Sequence, residues 1–305
     1  MAHSLQTNSG EQVLSSWRVW LLALRPKTLP AAAAGVVTGT ALALHDGVFR
    51  PLPALATLIA ALLLQIGSNL ANDVYDYERG ADAGERLGPI RVTQAGLLTP
   101  AQVKTGMVVV FALAAILGLY LASVAGWVLI GIGAAAILAA ILYTAGPFPM
   151  GYYGLGDLFV FIFFGLAAVV GTYYVQAGSA SPQAWWMALP IGWLIVDILV
   201  VNNLRDIPTD RAAGKRTLAV RLGERGTRIE YAALMAGSYL LLPVLAIRGV
   251  LPWTVMLAWL SSPVAGSALR TVLRQRGRPL NAALARTAQT ALLYSLLFLV
   301  GMMLA

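Results

Sequence analysis

Two short strings hold most of the side chains in this chain that could do chemistry: NDVYDYERGAD at 72–82 and DIPTD at 206–210. In the first, Asn72 and Asp76 stand four residues apart, Asp73 lies three before Asp76, and Asp82 follows; in the second, Asp206 and Asp210 repeat the four-residue step. On a helix that step stacks side chains on one face, so each string predicts an oxygen-rich face, with Pro208 expected to distort the second helix. Grouped carboxylates repel one another unless a cation offsets the repulsion. Mg2+ suits this donor set, because it takes hard oxygen ligands and shares them with substrate phosphates. Arg79, Arg91, Arg205, Arg211, Lys215 and Arg216 lie beside the acids and are fitted to hold phosphate oxygens. The chemistry these residues suit is a magnesium–diphosphate pocket. The competing reading, a run of solvated loop charges, does not account for Gln65, Asn69, Asn72, Asn202 and Asn203. These sit within apolar runs, where a polar group turns to a bundle interior or cavity. Asp197, also within an apolar run, fits the same logic or a helix–helix contact.

The elements that must position these groups are membrane helices. The chain has 305 residues, 59% hydrophobic and 11% charged, against about 25% charged in soluble domains. Crossing the hydrocarbon core takes roughly 20 apolar residues, and nine runs approach that length: 20–44, 52–71, 106–124, 127–145, 155–176, 185–203, 231–247, 252–269 and 287–304. Most connections are short and turn-like, which suits antiparallel neighbours in a bundle. The segments 72–105 and 204–230 are long and polar, and they hold nine of the thirteen acids. Residues 1–16 predict a disordered polar tail without the layout of a cleavable signal, leaving 17–305 as a single membrane domain.

Basic residues orient the bundle, because loops rich in Lys and Arg stay cytoplasmic. With a cytoplasmic start, 19 of the 21 basic residues fall inside, leaving only Arg50 and Arg248 outside. Both acidic segments then share the cytoplasmic face and are free to converge. The net charge of +8 is accounted for by this placement, without a nucleic-acid partner. There is no cysteine, so disulfides and thiolate metal sites are excluded.

At this point the chain resembles the UbiA superfamily of membrane prenyltransferases, whose two aspartate-rich motifs follow the second and sixth helices. Within that superfamily it is most similar to the naphthoate branch, the 1,4-dihydroxy-2-naphthoate polyprenyltransferases of menaquinone synthesis. The strings that carry the resemblance are LRPKTLPAA (24–32), QIGSNLANDVYDY (65–77), GPIRVTQAGLL (88–98), YTAGPFPMGYYGLGD (143–157) and NNLRDIPTDRAAGKRTLAVRLG (202–223), with LNAALART (280–287) less specific. The first motif departs from the simplest pattern in having Gly80 four after Asp76, with the third acid at Asp82; this longer form resembles the naphthoate branch.

The resemblance implies an all-α membrane protein, a bundle of nine transmembrane helices whose central cavity opens toward the cytoplasmic face. It implies residence in the cytoplasmic membrane and no obligate protein partner. It implies a polyprenyl diphosphate donor, a dihydroxynaphthoate acceptor and Mg2+ held by Asn72, Asp76, Asp206 and Asp210, with Asp73 and Asp82 as helpers. Asp76, Asp206, Asp210 and Lys215 are then the expected catalytic groups. Arg25, Lys27, Gln65, Asn69, Arg91, Tyr143, Asn202, Asn203 and Arg205 are expected to bind substrate. Tyr75, Tyr77, Tyr143, Tyr152 and Tyr153 either line a chamber that shields an allylic cation or anchor the bundle at the interface. Related acceptors such as 4-hydroxybenzoate or homogentisate, and a cation-coupled transporter, are the alternatives. A transporter is expected to carry ionisable groups near mid-membrane in both halves, whereas here they gather at one face.

Overall fold

The computed structural model describes residues 15–80 and 87–305, and among these it contains helices and turns with no strand. In chain order the helices are α1 (Ser16–Leu24), α2 (Leu29–His45), α3 (Pro51–Glu78), α4 (Pro100–Ala125), α5 (Val128–Leu142), α6 (Gly156–Val160), α7 (Ala168–Ala177), α8 (Pro182–Ala212), α9 (Leu218–Ile247), α10 (Ser262–Arg274) and α11 (Leu280–Met303). A π-helical segment, Phe161–Ala167, joins α6 to α7, and a 3-10 run, Trp253–Ser261, leads into α10. Seven helical stretches among the described residues are long and apolar enough to cross a membrane. They coincide with seven of the nine predicted runs. The other two runs are helical but are built differently: α5 has 15 residues, about 22 Å at 1.5 Å per residue, and the run at 252–269 opens as a 3-10 helix.

Three further differences from the expected runs have local causes. The first run is broken rather than continuous, because the residue before a proline is pushed out of the α region. Arg25 precedes Pro26 and takes a left-handed conformation (φ 50°, ψ 66°), so α1 stops and a short 3-10 turn, Pro26–Thr28, re-aims the chain into α2. The two acidic strings are helical, since α3 runs on to Glu78 and α8 to Ala212. Pro208 does not break α8. At the other end of the first polar segment, Thr99 and Gln102 close a capping box that starts α4 six residues before the apolar run expected at 106. Of the predicted tail, residues 1–14 lie outside the described residues, and Ser16 already opens α1.

Small residues let the helices approach closely, as in other membrane bundles. A Cβ at Gly39 of α2 would lie 2.5 Å from the Val169 carbonyl of α7, and one at Gly165 would lie 2.7 Å from Cα of Gly192 in α8. The largest apolar core joins α2, α7, α8, α9 and α11, and a second core joins α1, α3 and α4. Large apolar side chains cover the outside, among them Trp17, Val108, Ile116, Leu158 and Ile247, as a lipid-facing surface requires.

Candidate active site

Between the two cores lies a cavity of about 1160 Å³. It follows α3 from Thr57 to Asp76, a rise of about 28 Å at 1.5 Å per residue, which is close to the thickness of a hydrocarbon core. Along most of that length its wall is apolar, with Leu64, Ile130, Ile137, Phe163, Phe164 and Val175 contributing. The π-helical segment supplies Phe163 and Phe164. At one end the lining turns polar and charged.

The first acidic string supplies one side of that end. The Asp76 carboxylate, 2% exposed, meets an Arg91 guanidinium nitrogen at 2.5 Å and Lys215 Nζ at 3.4 Å, and accepts a 2.5 Å hydrogen bond from the Tyr152 hydroxyl. One turn earlier, the Asn72 carbonyl oxygen accepts from Arg91 at 2.6 Å and its side-chain oxygen accepts from the Thr144 hydroxyl at 3.2 Å. Asp73 points elsewhere. Its two oxygens accept from the backbone N–H groups of Val92 (3.1 Å) and Thr93 (3.0 Å), with Arg25 at 3.7 Å. It thereby braces the segment that delivers Arg91. Further down the cavity, Gln65 and Asn69 bond to each other and to the Thr28 hydroxyl, and Asn69 also donates to the Leu24 carbonyl, which fastens the break between α1 and α2 to α3.

The second string supplies the facing side. Asp206 takes two bonds from Arg205, from Nε at 2.7 Å and Nη2 at 2.5 Å, and Arg205 also donates to Asn202 at 2.8 Å. Asp210 lies 3.7 Å from Lys215 Nζ. Lys215 is brought there by the end of α8. Gly214, at φ 73°, takes the left-handed conformation that closes a Schellman motif, with Lys215 N–H donating to the Asp210 carbonyl and Gly214 N–H to that of Arg211. The ammonium sits between Asp76 and Asp210 and 4.5 Å from the centre of the Tyr152 ring. Two strings about 130 residues apart thus meet across one cation.

Of the residues singled out from sequence, Arg25, Lys27, Gln65, Asn69, Asn72, Asp76, Arg91, Tyr143, Asn202, Asn203, Asp206, Asp210 and Lys215 all line this cavity. Asp73 and Arg205 stand behind the lining and hold residues that form it. Asp82 lies outside the described residues. Of the five tyrosines, Tyr143 and Tyr152 line the cavity, while Tyr77 and Tyr153 are exposed and Tyr75 packs its ring under Lys104. Burial, then the neighbouring Asp76 carboxylate, pushes the Tyr152 hydroxyl well above the usual phenol range, so it remains a protonated donor. Asp197 is fully buried in α8 away from the cavity.

Three contributors were not foreseen from spacing. Thr144 holds Asn72, the Tyr152 hydroxyl holds Asp76 in addition to facing the chamber, and Asn281 binds Arg205 at 2.6 Å. All three occur in the resemblance strings, but no local pattern says what they touch.

Asn72, Asp76, Asp206 and Asp210 present an amide oxygen and three carboxylates to one space. This is the hard-oxygen donor set that Mg2+ uses together with phosphate oxygens, without a dedicated protein cage. Among the described residues, no group of three acidic or histidine side chains lies close enough to hold a metal by itself.

Fold and site together define a multi-pass helical membrane protein whose interior cavity has a long apolar body and a charged, oxygen-rich head. The chain belongs to the UbiA prenyltransferase family, whose family model matches residues 32–284. It is 42% identical over 308 aligned residues to the 1,4-dihydroxy-2-naphthoate octaprenyltransferase of Escherichia coli (strain K12), covering 97% of this chain and 98% of that protein. To the 1,4-dihydroxy-2-naphthoate octaprenyltransferase of Mycobacterium tuberculosis (strain ATCC 25618 / H37Rv) it is 44% identical over 266 residues, 87% of this chain and 89% of that protein. Its fold is similar to that of a UbiA homolog from Archaeoglobus fulgidus bound to GPP and Mg2+, with a TM-score of 0.65 at 13% identity, covering 93% of this chain and 99% of that one.

Proposed function

We propose that this chain transfers a polyprenyl group from an all-trans polyprenyl diphosphate to 1,4-dihydroxy-2-naphthoate, with loss of the ring carboxylate as carbon dioxide, giving demethylmenaquinone in its hydroquinone form. The observation that carries the reading is the meeting of Asp76 and Asp210 at Lys215, at the charged head of an apolar cavity. The chain's likeness to two naphthoate octaprenyltransferases over most of their length supports the choice of acceptor.

The prenyl tail lies along α3 in the apolar body, and the diphosphate lies in the head. Mg2+ held by Asn72, Asp76, Asp206 and Asp210 would offset the negative charge that grows on the departing diphosphate. Lys27, exposed in the cavity wall, and Arg25, Arg91 and Lys215 bind the diphosphate oxygens left over. The allylic carbon–oxygen bond breaks with its electron pair leaving on the diphosphate. The electron-rich ring then supplies the pair for the new carbon–carbon bond. Apolar walls and the faces of Tyr143 and Tyr152 shield the allylic cation from water in the interval.

We further place all nine helical runs across the cytoplasmic membrane of the cell, with the charged head on the cytoplasmic side and no obligate protein partner. The distribution of basic residues supports that orientation. Because the chain has no cysteine, single cysteines introduced at Gly96 and Gly249 can test it: an impermeant thiol reagent should reach the second, and not the first, from outside intact cells. The activity test is purified protein with Mg2+, a polyprenyl diphosphate and dihydroxynaphthoate. Prenylated, decarboxylated product is expected, with little turnover of 4-hydroxybenzoate or homogentisate. No turnover under conditions that sustain a related enzyme would overturn the reading.

A further inference from the structure

The string LNAALART was the least specific part of the resemblance, yet its second residue occupies a junction. Asn281, in the first turn of α11, makes two bonds of opposite sense with one amide. Its oxygen accepts from Arg205 Nη1 at 2.6 Å, and its nitrogen donates to the Leu87 carbonyl at 2.7 Å. A guanidinium only donates and a carbonyl only accepts, so the orientation of the amide is dictated by its partners. Arg205 is 2% exposed, and its remaining bonds go to Asp206 and Asn202. The Leu87 end begins the segment that lines the cavity mouth and leads to Arg91, which binds Asp76. The junction leaves no room for adjustment, since a Cβ on Gly88 would lie 2.7 Å from Arg205 Nη2. That nitrogen is held by Asp206 and Asn202 and cannot swing away without releasing them.

We propose that Asn281 is a positioning residue that sets the separation of the two acidic strings. Through Arg205 it fixes the pose of Asp206 on α8. Through Leu87 it fixes the segment whose Arg91 holds Asp76 on α3. A diphosphate headgroup with its magnesium must be gripped from both strings at once, so loosening this clasp weakens the grip on the headgroup and leaves the acceptor unaffected. The inference rests on the prenyl-transfer reading.

N281A removes both bonds, and G88A forces Arg205 and the entrance segment apart without touching Asn281. In full-length protein in detergent or nanodiscs, both should raise the half-saturating Mg2+ concentration and the KM for polyprenyl diphosphate about tenfold, the usual cost of a hydrogen bond to a charged group. The KM for dihydroxynaphthoate should stay within about twofold, since no bond to the acceptor is removed. A second readout needs no turnover: the Mg2+ concentration at which an unreactive geranyl thiodiphosphate analogue raises the melting temperature should shift by the same factor. A merely structural role would lower the melting temperature of the unliganded protein and kcat while leaving both half-saturation values at wild type, and that result overturns the inference. If N281A does not fold, N281D has the same shape, keeps the acceptor toward Arg205 and loses the donor toward Leu87; the same shift is expected of it. Wild-type protein that turns nothing over overturns the prenyl-transfer reading, whereas active wild type with unshifted variants overturns the role of Asn281 alone.

Discussion

The two acidic strings share a spacing but are held in opposite ways. Asp76 on α3 takes its partners from three remote places: Arg91 in the segment after α3, Tyr152 in the turn before α6, and Lys215 beyond α8. Asp206 on α8 is held through both of its carboxylate oxygens by its neighbour Arg205, and Asp210 is faced by Lys215 from the cap of its own helix. The first string is assembled by tertiary structure, whereas the second comes largely preformed on one helix end. A carboxylate held by remote cations is released when any of several segments moves. One held by its helix neighbour moves with the helix.

The largest effect is expected where the two strings act alike. D76A and D206A should each lower turnover by at least about a thousandfold, the scale of losing a group that stabilises developing charge, while the proteins still purify as folded species. Retained activity in either would remove its role at the diphosphate. Chelation with EDTA should abolish wild-type turnover reversibly, and full activity after chelation would remove magnesium from both strings.

Lys215 belongs to both strings, so K215M should cost about a hundredfold in kcat, within the range seen when one charge-stabilising donor is removed. An effect on stability alone would reduce it to a structural tie. Tyr152 belongs only to the first string. Y152F should lower kcat/KM about tenfold by removing the shorter of the two donors to Asp76 Oδ1, leaving Lys215 at 3.4 Å, and steady-state kinetics would expose a smaller role if the value stays near wild type.

Asp73 separates structure from chemistry within the first string. D73N should cost about 1–3 kcal/mol of stability, read as a lower melting temperature, with a smaller loss of kcat than D76A. An equal loss of kcat at unchanged stability would make Asp73 a direct participant. The smallest effect concerns pH. Tyr152 is held above its ordinary value of 10.0 by burial and Asp76, so above about pH 10 the unfolded state binds fewer protons than the folded one and stability falls as pH rises. Y152F should flatten that alkaline decline in melting temperature.

Much of this was legible beforehand because hydropathy and helical spacing are local. All nine apolar runs are helical, and Asp76 and Asp210 face a common space as their strings suggested. The helices overran their expected ends because polar residues such as Asn72 and Asp76 are accommodated by the cavity and its cations, so polarity did not mark the helix terminus. The break at Arg25 follows from Pro26, and the continuity of α8 through Pro208 does not follow from composition at all.

By itself, the sequence determined the solvent, the helical class, the family resemblance and which oxygens and cations were available, since each depends on residue type or on separations of three or four along the chain. Only the tertiary structure decided that Asp73 binds backbone and Asp76 faces the cavity, that Lys215 joins the strings, and that Asn281 ties Leu87 to Arg205. The physical reason is that neighbouring carboxylates on one helix differ by about 100° in direction, and what each meets is set by elements tens to hundreds of residues away.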